Sequence, residues 1–98
     1  MAHGTVRPRN GGATDTAAVV AGRAIAIPGS ARGCVFHTDL AARVTVTGVA
    51  TPPAIADTAY GYIAAGTQGG WDFQQGVDKY IHWSPQTAVA TTVRVMFY

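Results

Sequence analysis

The 98-residue sequence predicts a single all-β domain, a small β-sandwich or barrel of seven to eight short antiparallel strands behind an extended N-terminal arm. Three observations predict it. Only 12% of the residues are charged, glutamate is absent and Lys79 is the sole lysine, so the solvated face of a surface helix cannot be assembled. Short stretches rich in Val, Ile, Thr and aromatic residues alternate with period two. Turn residues punctuate these stretches roughly every 8–12 positions, the spacing of short strands.

The arm covers residues 1–16 and the β domain residues 17–98. Gly4, Pro8, Asn10, Gly11 and Gly12 interrupt any periodicity, and Arg7-Pro8-Arg9 favours extended backbone. Ordering such a segment costs about 1–2 kcal/mol per residue, with little apolar surface to offset it. The expectation is that a neighbouring protein holds it, with Val6, Arg7, Pro8, Arg9 and Asn10 as the gripping residues.

Residues 17–27 read as one or two strands carrying Val19, Val20, Ala24, Ile25 and Ile27, interrupted at Ala21-Gly22-Arg23; Pro28-Gly29-Ser30 is a turn. Residues 33–38 (GCVFHT) form a buried strand. The clearest strand is 43–49, with Val44 and Val46 on one face and Arg43, Thr45 and Thr47 on the other. At most one helical turn fits residues 39–42. Thr51-Pro52-Pro53 then stops the sheet, because proline donates nothing to a ladder. Residues 57–64 return as a strand with Tyr60 and Tyr62 on one face. A glycine-rich turn at 66–70 leads into Trp71-Asp72-Phe73, and another turn at 75–78 precedes a strand at 79–83. Ser84-Pro85-Gln86 is a turn. The last strand, 88–98, sets Val89, Val93, Val95 and Phe97 inward and Arg94, Met96 and Tyr98 on the other face.

A domain of this size buries only roughly 60–65% of its unfolded surface. The single cysteine, Cys34, cannot staple the chain, so burial against further copies is the expected source of extra stability. The net charge of +2 comes from Arg7 and Arg9, and the other five cations balance five aspartates. No basic stripe suggests nucleic acid. No apolar leader opens the chain and no run approaches 18 apolar residues, so neither secretion nor a membrane span is expected and synthesis is placed in the cytoplasm.

The chemistry-bearing residues do not assemble into a catalytic set. Cys34 and His37 are three apart in a strand and point to opposite faces, which makes Cys34 a structural thiol. His37 and Asp39 share a face, but with His82 elsewhere they make a poor metal site. Asp57, Asp72 and Asp78 lie scattered near turns, where aspartates cap loops, and the 66–70 loop lacks the Lys-Ser/Thr of a phosphate cradle. No enzyme activity, metal or cofactor is expected. The second half carries Tyr60, Tyr62, Trp71, Phe73, Tyr80, Trp83, Phe97 and Tyr98. Most belong in a core; Tyr60, Tyr62, Trp71, Trp83 and Tyr98 are the candidates for a subunit interface or a stacking surface.

The segments IAIPGS (Ile25 to Ser30), YIAAGTQGGWDF (Tyr62 to Phe73), YIHWS (Tyr80 to Ser84) and ATTVRVMFY (Ala90 to Tyr98) resemble a group of small bacteriophage virion structural proteins. The resemblance is a progression of strands and turns over about 80 residues, and Thr51-Pro52-Pro53 departs from it. It implies a head decoration (cement) protein on the capsid surface. The implied partners are the major capsid protein, gripped by the arm, and copies of itself, with a trimer as the form the resemblance suggests. A tail, fibre or baseplate subunit, or a carbohydrate-binding module, are the alternatives.

Overall fold

The computed structural model describes residues 11–56 and 58–98. They form eight antiparallel strands and, among the described residues, no helix: β1 (Gly12–Ala17), β2 (Arg23–Ala26), β3 (Gly33–Thr38), β4 (Ala42–Thr47), β5 (Gly61–Ile63), β6 (Gln68–Asp72), β7 (Tyr80–Pro85) and β8 (Thr91–Phe97). Sheet A has the order β1-β8-β3-β6 and sheet B the order β2-β7-β4-β5. The first four strands pair with the last four in reverse, β1 with β8, β2 with β7, β3 with β6 and β4 with β5. The chain is thus one long hairpin whose ribbon rolls until β8 meets β3 and β7 meets β4. That connectivity is the jelly roll.

The core lies between the sheets. Cys34 and Phe36 of β3 and Val93, Val95 and Phe97 of β8 face Ala42 and Val44 of β4 and Ile81 and Trp83 of β7. Each set alternates with outward residues, as one buried face of a pleated strand requires. Phe36 meets Trp71 edge-on at 5.7 Å, and Phe73 lies 6.3 Å from Phe97, extending the aromatic packing to the β6 edge. In the β5–β6 connection Gly66 adopts φ +69°, which a β-carbon would disfavour.

Several expectations are corrected. Residues 12–16, assigned to the arm, belong to β1, whose register with β8 runs from Gly12–Met96 to Ala17–Thr91. Their inward residues, Ala13 and Asp15, are too weakly apolar to announce a strand, and only pairing with β8 reveals it. Val6, Arg7, Pro8, Arg9 and Asn10, and also Asp57, lie outside the described residues. Ser84 and Pro85 extend β7 instead of turning. β2 ends opposite Trp83, so Pro85 lies beyond the reach of that ladder and its missing N–H costs nothing there. The 66–70 turn is shorter than expected, since Gln68, Gly69 and Gly70 already pair with β3. Val89 precedes β8 and is exposed. Tyr60 and Tyr62 do not share an environment: Tyr60 precedes β5 and is buried, while Tyr62 is 64% exposed. Residues 39–42 form no helical turn: Asp39 and Leu40 make a bend, and Ala42 already begins β4.

Candidate functional site

The open edge between β1 and β2 is closed by one clasp. Asp15 on β1 accepts from Arg23 Nε at 2.7 Å and Nη2 at 3.0 Å, and from the indole Nε1 of the fully buried Trp83 at 2.9 Å. A backbone N–H from Thr16 completes the set at 3.0 Å. The Arg23 guanidinium, helped by the indole, holds the Asp15 carboxyl below its ordinary range against the opposing effect of burial. One side chain therefore ties both sheets together.

The two outer faces of the sandwich differ. On sheet B residues 48–56, in the connection between β4 and β5, fold back over the strands. His82, on the outward side of β7, is fully buried beneath it. Its Nε2 lies 2.7 Å from Thr47 Oγ1 and 3.0 Å from the carbonyl of Val49. A carbonyl only accepts, so Nε2 carries the proton and Nδ1 is left as a buried lone pair with no partner. Burial pushes the His82 pKa down. The Tyr80 ring stacks on the imidazole at 6.2 Å, and the Tyr60 hydroxyl donates to the carbonyl of Pro53 at 2.7 Å. Gly22 leaves the space that Pro52 and the Tyr60 hydroxyl fill. The proline segment, which fits no strand pattern, is therefore the buckle of a flap that seals this face.

Among the described residues sheet A carries no such cover. Its outward side chains fall in rows set by register. Thr14, Arg94, His37 and Gln68 form one row, and Gly12, Met96, Val35 and Gly70 the next. Beyond them Tyr98 lies over Gly33, where a β-carbon would meet its hydroxyl at 2.5 Å, and donates to Asp72 Oδ1 at 3.0 Å. That bond raises the Tyr98 pKa and keeps the phenol protonated. Between the polar row and Met96 and Val35 lies a cleft of about 320 Å³, lined by Val35, His37, Gln68, Arg94 and Met96. A second cleft of about 350 Å³ sits between the β2–β3 and β6–β7 connections, with Pro28, Asp78, Lys79 and Tyr80 on its walls.

One end of the sandwich is nearly free of charge. The connections 18–22, 39–41, 64–67 and 86–90 meet there, joined by bonds from Gly66 N to Thr38 O, Gln86 N to Ala41 O and Asp39 N to Thr92 O. Asp39 is their only charged residue, and its Oδ1 accepts from Thr92 N at 2.8 Å. Val19, Val20, Leu40 and Val89 are exposed at this end.

The candidate aromatics separate cleanly. Trp83 is core and Tyr60 is pinned under the flap, so neither reaches a partner. Trp71 is half-buried against Phe36 on the inner side of β6. Tyr98 is half-exposed on sheet A, and Tyr62 alone stands clear on β5. Cys34 and His37 do point apart, Cys34 into the core and His37 to solvent, and burial pushes the thiol up to about 11. No group of three His, Cys, Asp or Glu side chains able to hold a metal exists among the described residues. In the sequence the parity of the strands sets Arg94 and Met96 outward and His37 opposite Cys34, but nothing there groups these residues with Gln68. No protein-family model, curated protein or solved structure matches this chain.

Proposed function

We propose that the chain is a non-enzymatic structural protein of a bacteriophage particle, with a head decoration (cement) protein as the leading assignment. In this reading Val6, Arg7, Pro8, Arg9 and Asn10 grip the major capsid protein, and the jelly roll sits on the shell beside copies of itself. One observation carries it: a small jelly roll with one face sealed by its own flap and a loop end almost without charge. Jelly rolls recur in viral shells and in lectins, and this support is fold-level analogy. The loop end adds a physical reason, since exposed Val19, Val20, Leu40 and Val89 gain by contact with another apolar surface.

The test is a shell-binding experiment. Purified protein added to expanded capsids of the encoding phage should bind in many copies and raise their disruption temperature, as a ligand of the assembled state must. A variant lacking residues 1–10 should stay folded and lose binding. The deletion must stop there, because Gly11 O accepts from Phe97 N and Gly12 pairs with Met96. Full binding by the truncated protein overturns the role of the arm. A few copies at one vertex or along a tail in labelled micrographs would move the assignment to a tail, fibre or baseplate subunit.

A further inference from the structure

Among the described residues the outer face of sheet A is uncovered, and its side chains form a candidate ligand surface of mixed chemistry. Four strands side by side make it about 14 Å across, and the rows of Arg94 and Tyr98 stand roughly 14 Å apart along β8. Between them the row Gly12, Met96, Val35, Gly70 is low only at its two ends, where the outer strands carry glycine, and Met96 and Val35 stand at its centre over β8 and β3. These two side chains and the polar row enclose a trough, the cleft of about 320 Å³. Its apolar surface is Val35 and Met96. The polar wall is a guanidinium, an imidazole, an amide and a hydroxyl, from Arg94, His37, Gln68 and Thr14. Beyond the apolar pair stands the Tyr98 phenol tied to Asp72.

Two features select the occupant. First, β8 and β3, which underlie the trough, are paired on both sides, so their backbone groups are spent and an extended peptide finds no ladder to join. What remains is a mixed set of side-chain donors and acceptors beside an apolar surface, which suits a molecule with many hydroxyls and a C–H face. Second, Arg94 has no ion pair among the described residues. The described carboxylates on this face keep their charge but accept from other donors, Asp39 from Thr92 N and Asp72 from the Tyr98 hydroxyl. The trough therefore presents a planar cation with no carboxylate in contact, which favours one from a ligand.

We infer that the trough over β8 and β3 binds a saccharide carrying a carboxylate, with Arg94 on the acid group, His37 and Gln68 on the hydroxyls and Met96 and Val35 against the ring. This goes beyond the virion reading and holds whether the protein sits on a head or a tail. The full chain in solution is enough to test it. Trigalacturonate and 3′-sialyllactose should shift the amide resonances of Val35, His37, Gln68, Gly70, Arg94 and Met96, and bind at least tenfold more tightly than maltotriose and lactose. Arg94→Gln, checked for an unchanged melting temperature, should bring acidic and neutral sugars to within twofold. Gln68→Ala should weaken both classes alike. The inference is overturned if no acidic sugar shifts these residues, or if the shifts fall in the cleft beside Tyr80. It is equally overturned if triglutamate binds the trough as well as the acidic sugars do, which would make it a docking site for acidic protein. None of these outcomes depends on capsid binding, so the two readings stand or fall separately.

Discussion

Replacing Asp15 with alanine tests whether one carboxylate holds the rolled ribbon shut. The substitution leaves the indole N–H of Trp83 without an acceptor in a position with no solvent access. An unpaired buried donor costs about 1–3 kcal/mol. The Arg23 pair is also lost, but Arg23 is 46% exposed and Asp15 22%, so screening limits that part to roughly 0.2–1 kcal/mol. The sum is about 1–4 kcal/mol, or roughly 5–30 °C of melting temperature for a domain of this size. Arg23→Ala removes only the exposed pair and should cost no more than about 1 kcal/mol. Asp15→Asn keeps an oxygen for the indole and should recover roughly half of the alanine loss. The assay is thermal unfolding by circular dichroism at pH 7, with urea midpoints as a second measure. Equal losses for Asp15→Ala and Arg23→Ala would show that the indole bond contributes nothing, and the reasoning fails. Acid adds a further check. The native Asp15 pKa is depressed below 3.8, so its contribution is complete above that value and is lost as pH falls through the lower native one.

Three more outcomes follow from the flap and the core. Neutral His82 is required in the native state and its pKa is depressed from 6.5, so stability is full above pH 6.5 and declines as pH falls toward the native value. Melting temperatures from pH 7.5 to 5 should show this slope, and His82→Gln should flatten it; an unchanged slope assigns the effect to other groups. Gly22→Ala should destabilise by about 1–3 kcal/mol and expose residues 48–56 to limited proteolysis, because the new methyl collides with Pro52 and sits 2.9 Å from the Tyr60 hydroxyl. The Cys34 thiol, buried and pushed up to about 11, should resist iodoacetamide in native protein at pH 8 and react fully in denaturant. Rapid labelling of the native protein would mean that the core opens at β3.

Local alternation determined most of the strands. GCVFHT is β3 without change of boundary, and the inward set Val93, Val95 and Phe97 was readable because β8 has one wet and one dry face. The same rule placed Arg94 and Met96 outward and separated Cys34 from His37. Where that contrast is missing the reading fails. The inward face of β1 is alanine, aspartate, alanine against glycine and threonine outward, so nothing local marks it. β7 is buried on both faces, because the flap covers His82 and Ser84 is fully buried as well, and a strand dry on both sides shows no alternation to end at Trp83.

What only the tertiary structure decided is which strands are neighbours. Thr14, Arg94, His37 and Gln68 share a row although the chain separates Thr14 from Arg94 by nearly its whole length, and Asp15 reaches Trp83 from the opposite sheet. Alternation sets the face on which a side chain stands and carries no information about the strand beside it. The sequence by itself determined an all-β chain with a known set of inward and outward residues. The rolling of the ribbon decided which outward residues meet, because pairing β1 with β8 and β3 with both β8 and β6 is what buries both halves of the core at once.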